Sequence, residues 1–128
     1  MRAALTSTGL SFAVRLAVGA DREAVVAMHD RCSAASRLHR WMGNSAAMPT
    51  AYLDHALSEA ADHHAVLAQL DDGRVIALGS VVALPDGGYE LALLVEDDFQ
   101  GIGVGTTLCD NLVATLPPGS SLIAEALL

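Results

Sequence analysis

The stretch Leu91-Ala92-Leu93-Leu94-Val95-Glu96-Asp97-Asp98-Phe99-Gln100-Gly101-Ile102-Gly103-Val104-Gly105-Thr106 passes from an apolar segment through an acidic turn into a glycine-rich loop. Tyr89 to Val95 is almost continuously apolar, the mark of a strand buried on both faces. Beyond the glycines, Thr106 to Leu116 carries Leu108, Leu112, Val113 and Leu116 at the spacing of an apolar helix face. A strand that feeds a glycine loop opening a helix makes an anion site. First-turn N–H groups have no intrahelical acceptor and bear partial positive charge, and glycines let a diphosphate approach the backbone closely.

Two other glycine-loop chemistries fit poorly. A nucleoside-triphosphate loop needs a lysine followed by Ser or Thr, whereas this chain has seven arginines and no lysine. The dinucleotide fingerprint Gly-x-Gly-x-x-Gly, counted from Gly101, places Thr106 where its third glycine belongs. Glu125 stands at the right remove for a ribose-binding acid, but inside an apolar strand and not at its end.

Upstream of the loop, Phe12, Val14, Leu16 and Val18 alternate with Ala13, Arg15 and Ala17 as in a half-buried strand, which Gly19 ends. Asp21 can cap a helix running to about Cys32, with Val25, Val26, Met28 and His29 at helical spacing. From Ser33 to Leu57 the pattern predicts two short helices, divided by Gly43-Asn44 and restarted at Pro49. Ala65–Leu70 and Val75–Leu84 read as a hairpin around Asp71-Asp72-Gly73-Arg74, and Pro85-Asp86-Gly87-Gly88 turns the chain into Tyr89–Val95. Pro117-Pro118-Gly119 stops the last helix, and Ser121–Leu128 forms a final strand, parallel to Tyr89–Val95 because a helix crossover joins them. Residues 1–11, small and aperiodic, read as a loose N-terminal leader, and 12–128 as one α+β (mixed α/β) domain.

Composition narrows the function. The 128 residues suffice for one domain, and no apolar run approaches the roughly 20 residues of a membrane span. Met1–Phe12 has no signal-peptide pattern, so the cytoplasm is expected. A net charge of −8 disfavours nucleic acid and suits an amine-bearing partner. Cys32 and Cys109 form neither a disulfide framework nor a thiolate metal site, no histidine spacing matches zinc, and no metal is expected.

The motif Gln100-Gly101-Ile102-Gly103-Val104-Gly105, after an apolar strand and an Asp-containing turn, resembles that of the GNAT superfamily of N-acetyltransferases. Element order agrees from Phe12 to Leu128. Ser33-Ala34-Ala35-Ser36-Arg37-Leu38-His39-Arg40-Trp41-Met42-Gly43 is loosely similar to a segment of bacterial protein lysine acetyltransferase domains. The resemblance implies a GNAT-like acyl-CoA N-acyltransferase fold, shortened after its fifth strand. It implies acetyl-CoA as cosubstrate and an amine acceptor, a small molecule or a protein lysine or N-terminus. Backbone groups of Leu93, Leu94 and Val95 would hold the pantetheine arm, and the amides of Gln100, Gly101, Ile102, Gly103, Val104, Gly105 and Thr106 the pyrophosphate. Glu90 matches the position of the general base, though a solvated hairpin residue is the equal alternative.

Three departures bear on activity. Ile102 stands where relatives often carry Arg; Glu96, Asp97, Asp98 and Asp110 crowd the loop with no Lys or Arg after Arg74; and the usual last helix and two strands, with a tyrosine acid, have no counterpart. A catalytically impaired CoA-binding or interaction module is therefore the alternative function. Exposure of Leu122, Ile123, Ala126 and Leu127 on the last strand would favour a homodimer. Trp41 with Met42 reads as acceptor pocket or as core, and Arg37 and Arg40 as anion-attracting or merely solvated. His63 and His64 face opposite ways on a strand, and Tyr89 is a substitute proton donor.

Overall fold

The computed structural model describes residues 2–41 and 48–124. Six strands form one sheet whose spatial order is the chain order: β1 (Arg2–Leu5), β2 (Ser11–Leu16), β3 (His63–Leu70), β4 (Val75–Ala83), β5 (Tyr89–Val95) and β6 (Leu122–Ala124). Neighbours are antiparallel except β5 and β6, which are parallel as the crossover requires. Between β2 and β3 lie α1 (Arg22–Arg31), α2 (Ala34–Trp41) and α3 (Thr50–Ala56), and α4 (Val104–Val113) joins β5 to β6. The architecture is α+β, with helices on both faces of a mixed sheet.

Period-2 side-chain alternation divides the core in two. Ala65 and Leu67 of β3, Leu78 of β4 and Leu94 of β5 point to one face, where Val25 and Met28 of α1 and Leu53 and Ala56 of α3 cover them. Val66, Ala68, Ala77, Val81 and Leu91 point to the other, under Val104, Leu108 and Leu112 of α4. Gly79 is what lets α4 sit so close: a Cβ there would lie 2.7 Å from Leu93 Cδ2 and 3.0 Å from Leu112 Cδ1. Of the residues expected at helical spacing in α1, Val25, Met28 and His29 are buried and Val26 is half-buried.

Several expectations need correction. Within the segment expected as a loose leader, Arg2–Leu5 pairs along β2, and the Ser7 N–H donates to the Ile102 carbonyl at 2.8 Å. This strand makes the described sheet six-stranded, so Leu122–Ala124 is the sixth and not the fifth. The helix after the glycines starts at Val104, earlier than Thr106, because Gly103 at φ +101° serves as its left-handed N-cap. In β5 only Leu91 and Leu94 are buried, and the other five residues, four of them beside a cleft, are half-buried. Leu122 and Ile123 are exposed, as anticipated, whereas Met42, Gly43-Asn44, Glu125, Ala126 and Leu127 lie outside the described residues.

Candidate functional site

The parallel strand β6 pairs only with Tyr89, Glu90 and Leu91, so on that side Ala92–Val95 have no strand partner among the described residues. Along this free edge runs a cleft of about 360 Å³, lined by Glu90–Val95, Gln100 and Ala124 and, from α2, by Ser36, His39 and Arg40. An open strand edge offers backbone donors and acceptors at regular intervals, which suits an extended amide-bearing chain. Leu93, Leu94 and Val95 all border the cleft, but the Val95 carbonyl is engaged: Gln100 Nε2 donates to it at 2.8 Å and to Ser36 Oγ at 2.9 Å.

At the far end of the cleft stands the glycine loop. Gly101 (φ +75°) and Gly103 (φ +101°) occupy the left-handed region, a conformation costly for residues with a Cβ. Thr107 is the first α4 residue whose N–H finds a helical acceptor, the Gly103 carbonyl at 3.1 Å. The N–H groups of Val104, Gly105 and Thr106 precede it, in the first turn that has no intrahelical acceptors. Gln100 borders the cleft and Ile102 is held through its carbonyl by Ser7, so the loop is braced from both sides.

Folding removes Glu96 from the acidic crowding read from the sequence and gives Asp97 a hydrogen-bonding partner, while Asp98 and Asp110 stay exposed. Glu96 is buried and ion-paired with both Arg31, at 2.8 Å, and Arg74. Asp97 accepts the Ser33 N–H at 2.8 Å, and hydrogen bonds from Ser33 hold its carboxyl below the usual range. Positive charge reaches the cleft from α2 through Arg40, which no glycine-loop pattern would reveal.

A second cleft, about 390 Å³, adjoins the first and is lined by Arg40, Trp41, Ala51, Tyr52, His55, His63, Ser80, Val82, Glu90 and Ala92. Glu90, Ala92 and Arg40 line both clefts, so Glu90 stands where the two meet. Register explains its aim: His63 pairs with Val82 and Val82 with Glu90, so all three project from one sheet face. The Arg40 guanidinium lies 3.8 Å from the Trp41 ring centroid and 4.6 Å from that of Tyr52. Tyr52 Oη and Ser80 Oγ share a hydrogen bond of 2.7 Å. Trp41 is both wall and core: its Nε1–H donates to the buried His29 Nε2 at 2.9 Å, and burial lowers the pKa of that imidazole.

Of the residues named from the sequence, Glu90, Leu93, Leu94, Val95 and Gln100 line the first cleft, whereas Gly101, Ile102, Gly103, Val104, Gly105 and Thr106 line neither. Sequence reasoning missed Ser36, Tyr52, His55 and Ser80, which no spacing relative to Glu90 could have revealed. Tyr89 lies in β5 but borders neither cleft. His63 and His64 do face opposite ways, His63 into the second cleft.

Comparisons with known proteins agree with this fold. The family model described as acetyltransferase (GNAT) family matches residues 24–118. The GNAT domain of S. lividans PAT superposes with a TM-score of 0.85 at 22% identity, over 98% of this chain and 77% of that one. A cAMP-binding acyltransferase from Mycobacterium smegmatis gives 0.61 at 25% identity, over 98% of this chain but only 37% of its own. Ribosomal-protein-alanine N-acetyltransferase from Brucella melitensis biovar Abortus 2308 gives 0.59 at 19% identity, over 91% and 78%. At such identities the likeness is one of fold. No curated protein sequence matches the chain.

Proposed function

The chain belongs to the GNAT acetyltransferase family, and on that premise we propose that it transfers the acetyl group of acetyl-CoA to an amine by direct attack. One observation carries this reading: Glu90 sits at the junction of a cleft that leads along the β5 edge to the glycine loop and a second cleft with aromatic walls. The pyrophosphate lies against the first turn of α4, where the backbone supplies the positive end of a helix. The pantetheine arm follows Leu93–Val95, competing with Gln100 for the Val95 carbonyl or using the neighbouring groups. This puts the thioester beside Glu90 and the amine in the second cleft.

As the amine nitrogen attacks, the new C–N bond forms, the C–S bond breaks, and the CoA sulfur leaves as a thiolate that must gain a proton. Glu90 accepts a proton from the attacking nitrogen, and backbone N–H groups at the open β5 edge face the developing oxyanion. A cytoplasmic setting accords with two unpaired thiols, Cys32, whose pKa burial raises to about 11, and the half-buried Cys109.

The test is calorimetric titration with acetyl-CoA, followed by assay of CoA thiol release with a panel of primary amines. Glu90→Gln should keep acetyl-CoA affinity and lower kcat about 100-fold, the usual worth of a general base. Binding of acetyl-CoA with no turnover on any amine would instead support a non-catalytic CoA-binding module.

A further inference from the structure

The second cleft contains a titratable group to which the reaction above gives no role. His63 is only 4% exposed, and its Nε2 has no hydrogen-bond partner although the ring lines the cleft. Its other nitrogen is engaged. His63 Nδ1 and His55 Nδ1 lie 2.7 Å apart, and His55 Nε2 lies 3.0 Å from Asp62 Oδ1.

Donor and acceptor chemistry fixes the protons along this row. An ionised carboxylate only accepts, so His55 Nε2 carries a hydrogen and donates it to Asp62. A neutral His55 then has a lone pair on Nδ1, and the hydrogen bond between the imidazoles requires His63 Nδ1 to donate. What remains on His63 is a lone pair at Nε2, buried at the wall of the cleft. If His55 gains a proton, the polarity reverses: His55 Nδ1 donates, His63 Nδ1 accepts, and His63 Nε2 must carry the hydrogen. Protonation of His55 at the surface thus decides whether the buried nitrogen accepts or donates.

We propose that Asp62, His55 and His63 form a proton relay in which His63 Nε2 receives the proton of the incoming ammonium, making His63 a second catalytic residue beside Glu90. The inference rests on the acetyl-transfer reading. Converting an ammonium and acetyl-CoA to an amide and a free thiol removes two protons from nitrogen, of which one ends on the CoA sulfur and one in solvent. His63 Nε2 takes the first as its own Nδ1–H passes to His55 Nδ1. His63 stays neutral throughout, and the charge appears on His55 beside Asp62. His55 and Asp62 are 42% and 60% exposed, so solvent stabilises the charge there while the product forms; once the product leaves, His63 Nε2 gives its hydrogen to water in the opened cleft as the Nδ1 hydrogen returns from His55, which restores the starting tautomers. Glu90 takes the second proton as the C–N bond forms.

Burial, with His55 next, depresses His63 to about 4, which suits a group that passes protons and does not store them. The other groups facing it are Asp62 and His64 beside it in the chain, Arg40 of α2, and Tyr52 and Glu90 across the cleft. Glu90 and His63 end the cross-sheet row through Val82, with backbones about 10 Å apart at the usual strand spacing, room for a nitrogen between their side chains.

Nitrogen-15 NMR of the full chain with labelled histidine imidazoles tests the relay without requiring turnover. At alkaline pH one histidine should show a protonated Nδ1 and a bare Nε2, and its pattern should invert as His55 protonates. In H55Q, a change on a partly exposed helix position, that inversion should disappear. Binding of n-butylamine, the bare chemistry of a lysine side chain, should shift the His63 Nε2 resonance. A protonated Nε2 at alkaline pH, an inversion that survives H55Q, or an Nε2 indifferent to n-butylamine would overturn the proposal.

In turnover with n-butylamine, H63Q and H55Q should each lower kcat, H63Q by about 100-fold, at unchanged acetyl-CoA affinity. Unchanged kcat in H55Q and in a folded H63Q would sink the relay and leave acetyl transfer standing. The expected NMR behaviour in a wild-type chain that acetylates no amine would sink acetyl transfer, and the proton step with it.

Discussion

Asp21 illustrates what a single carboxylate does when its partners are fixed. It is only 7% exposed, accepts from Arg15 Nη2 and Nη1 at 2.7 and 2.9 Å, and accepts the Val18 N–H at 2.8 Å. The Arg15 hydrogen bond is the main reason its pKa lies below the ordinary range, against the opposing effect of burial. A depressed carboxyl pKa stabilises the fold fully above the unfolded value of about 4, and the contribution fades as pH falls through the lower folded value. Asp21→Asn should therefore cost about 2 kcal/mol at neutral pH, a difference that closes in acid; urea unfolding at several pH values measures it. A gap that persisted at low pH would assign the effect to shape and not charge. The sequence marks Asp21 as a helix cap, yet its side chain bonds Val18 ahead of α1 and an arginine on β2, neither of which local pattern predicts. Glu90 was named only through the family resemblance, as a residue at the start of β5, and the sequence held no sign that two clefts meet there. His63 was legible only as a strand residue facing one way, because its partner His55 comes from a helix whose orientation no periodicity sets.

The elements were easier to read than their contacts, and α4 with its loop was the easiest of all. Glycines, apolar spacing and the preceding strand all agree, and even the error at its start has a local cause in the left-handed Gly103. The segment now divided into α2 and α3 was visible as two short helices, but α2 has no buried residue, so its sequence carried little sign that it walls the cleft. Gly105 is the second residue of α4. A Cβ there would make an ordinary contact of 3.6 Å with Val95 Cγ2, and its φ lies outside the left-handed region. Gly105→Glu exchanges a poor helix former for a better one and puts a carboxylate in the first turn, so stability should rise by about 1 kcal/mol. The same carboxylate repels a diphosphate and competes for its N–H groups, so acetyl-CoA affinity should fall at least 10-fold, a factor that corresponds to about 1.4 kcal/mol. Thermal unfolding and calorimetry on one sample read both. Unweakened binding in a stabilised variant would move the pyrophosphate away from this helix end.

Charge is where the assembled molecule departs furthest from its linear sequence. Listed along the chain, Glu96 is the first of four acids about a phosphate loop with no cation beyond Arg74, and its removal should tighten binding of an anionic cosubstrate. In the fold it is 3% exposed and held by Arg31 from α1 and Arg74 from the turn before β4, while Arg31 Nη2 also donates to the Val75 carbonyl at 2.8 Å. These residues are distant in sequence, and only the packing of α1 on the sheet brings them together. The ion pairs join helix layer, hairpin and the β5 end from which the loop springs, so the carboxylate belongs to the support of the loop and its charge is already neutralised. Removing one member of a buried pair leaves the others desolvated without a counter-charge, which is costlier than the pair is favourable. Glu96→Gln should therefore destabilise the fold by about 3 kcal/mol, toward the low end because both arginines are partly exposed. It should leave acetyl-CoA affinity unchanged or weaker. Chemical denaturation and calorimetry decide between the two accounts: tighter binding with little loss of stability would mean that the acid acts on the phosphates directly, whereas lost stability without tighter binding follows from the paired geometry.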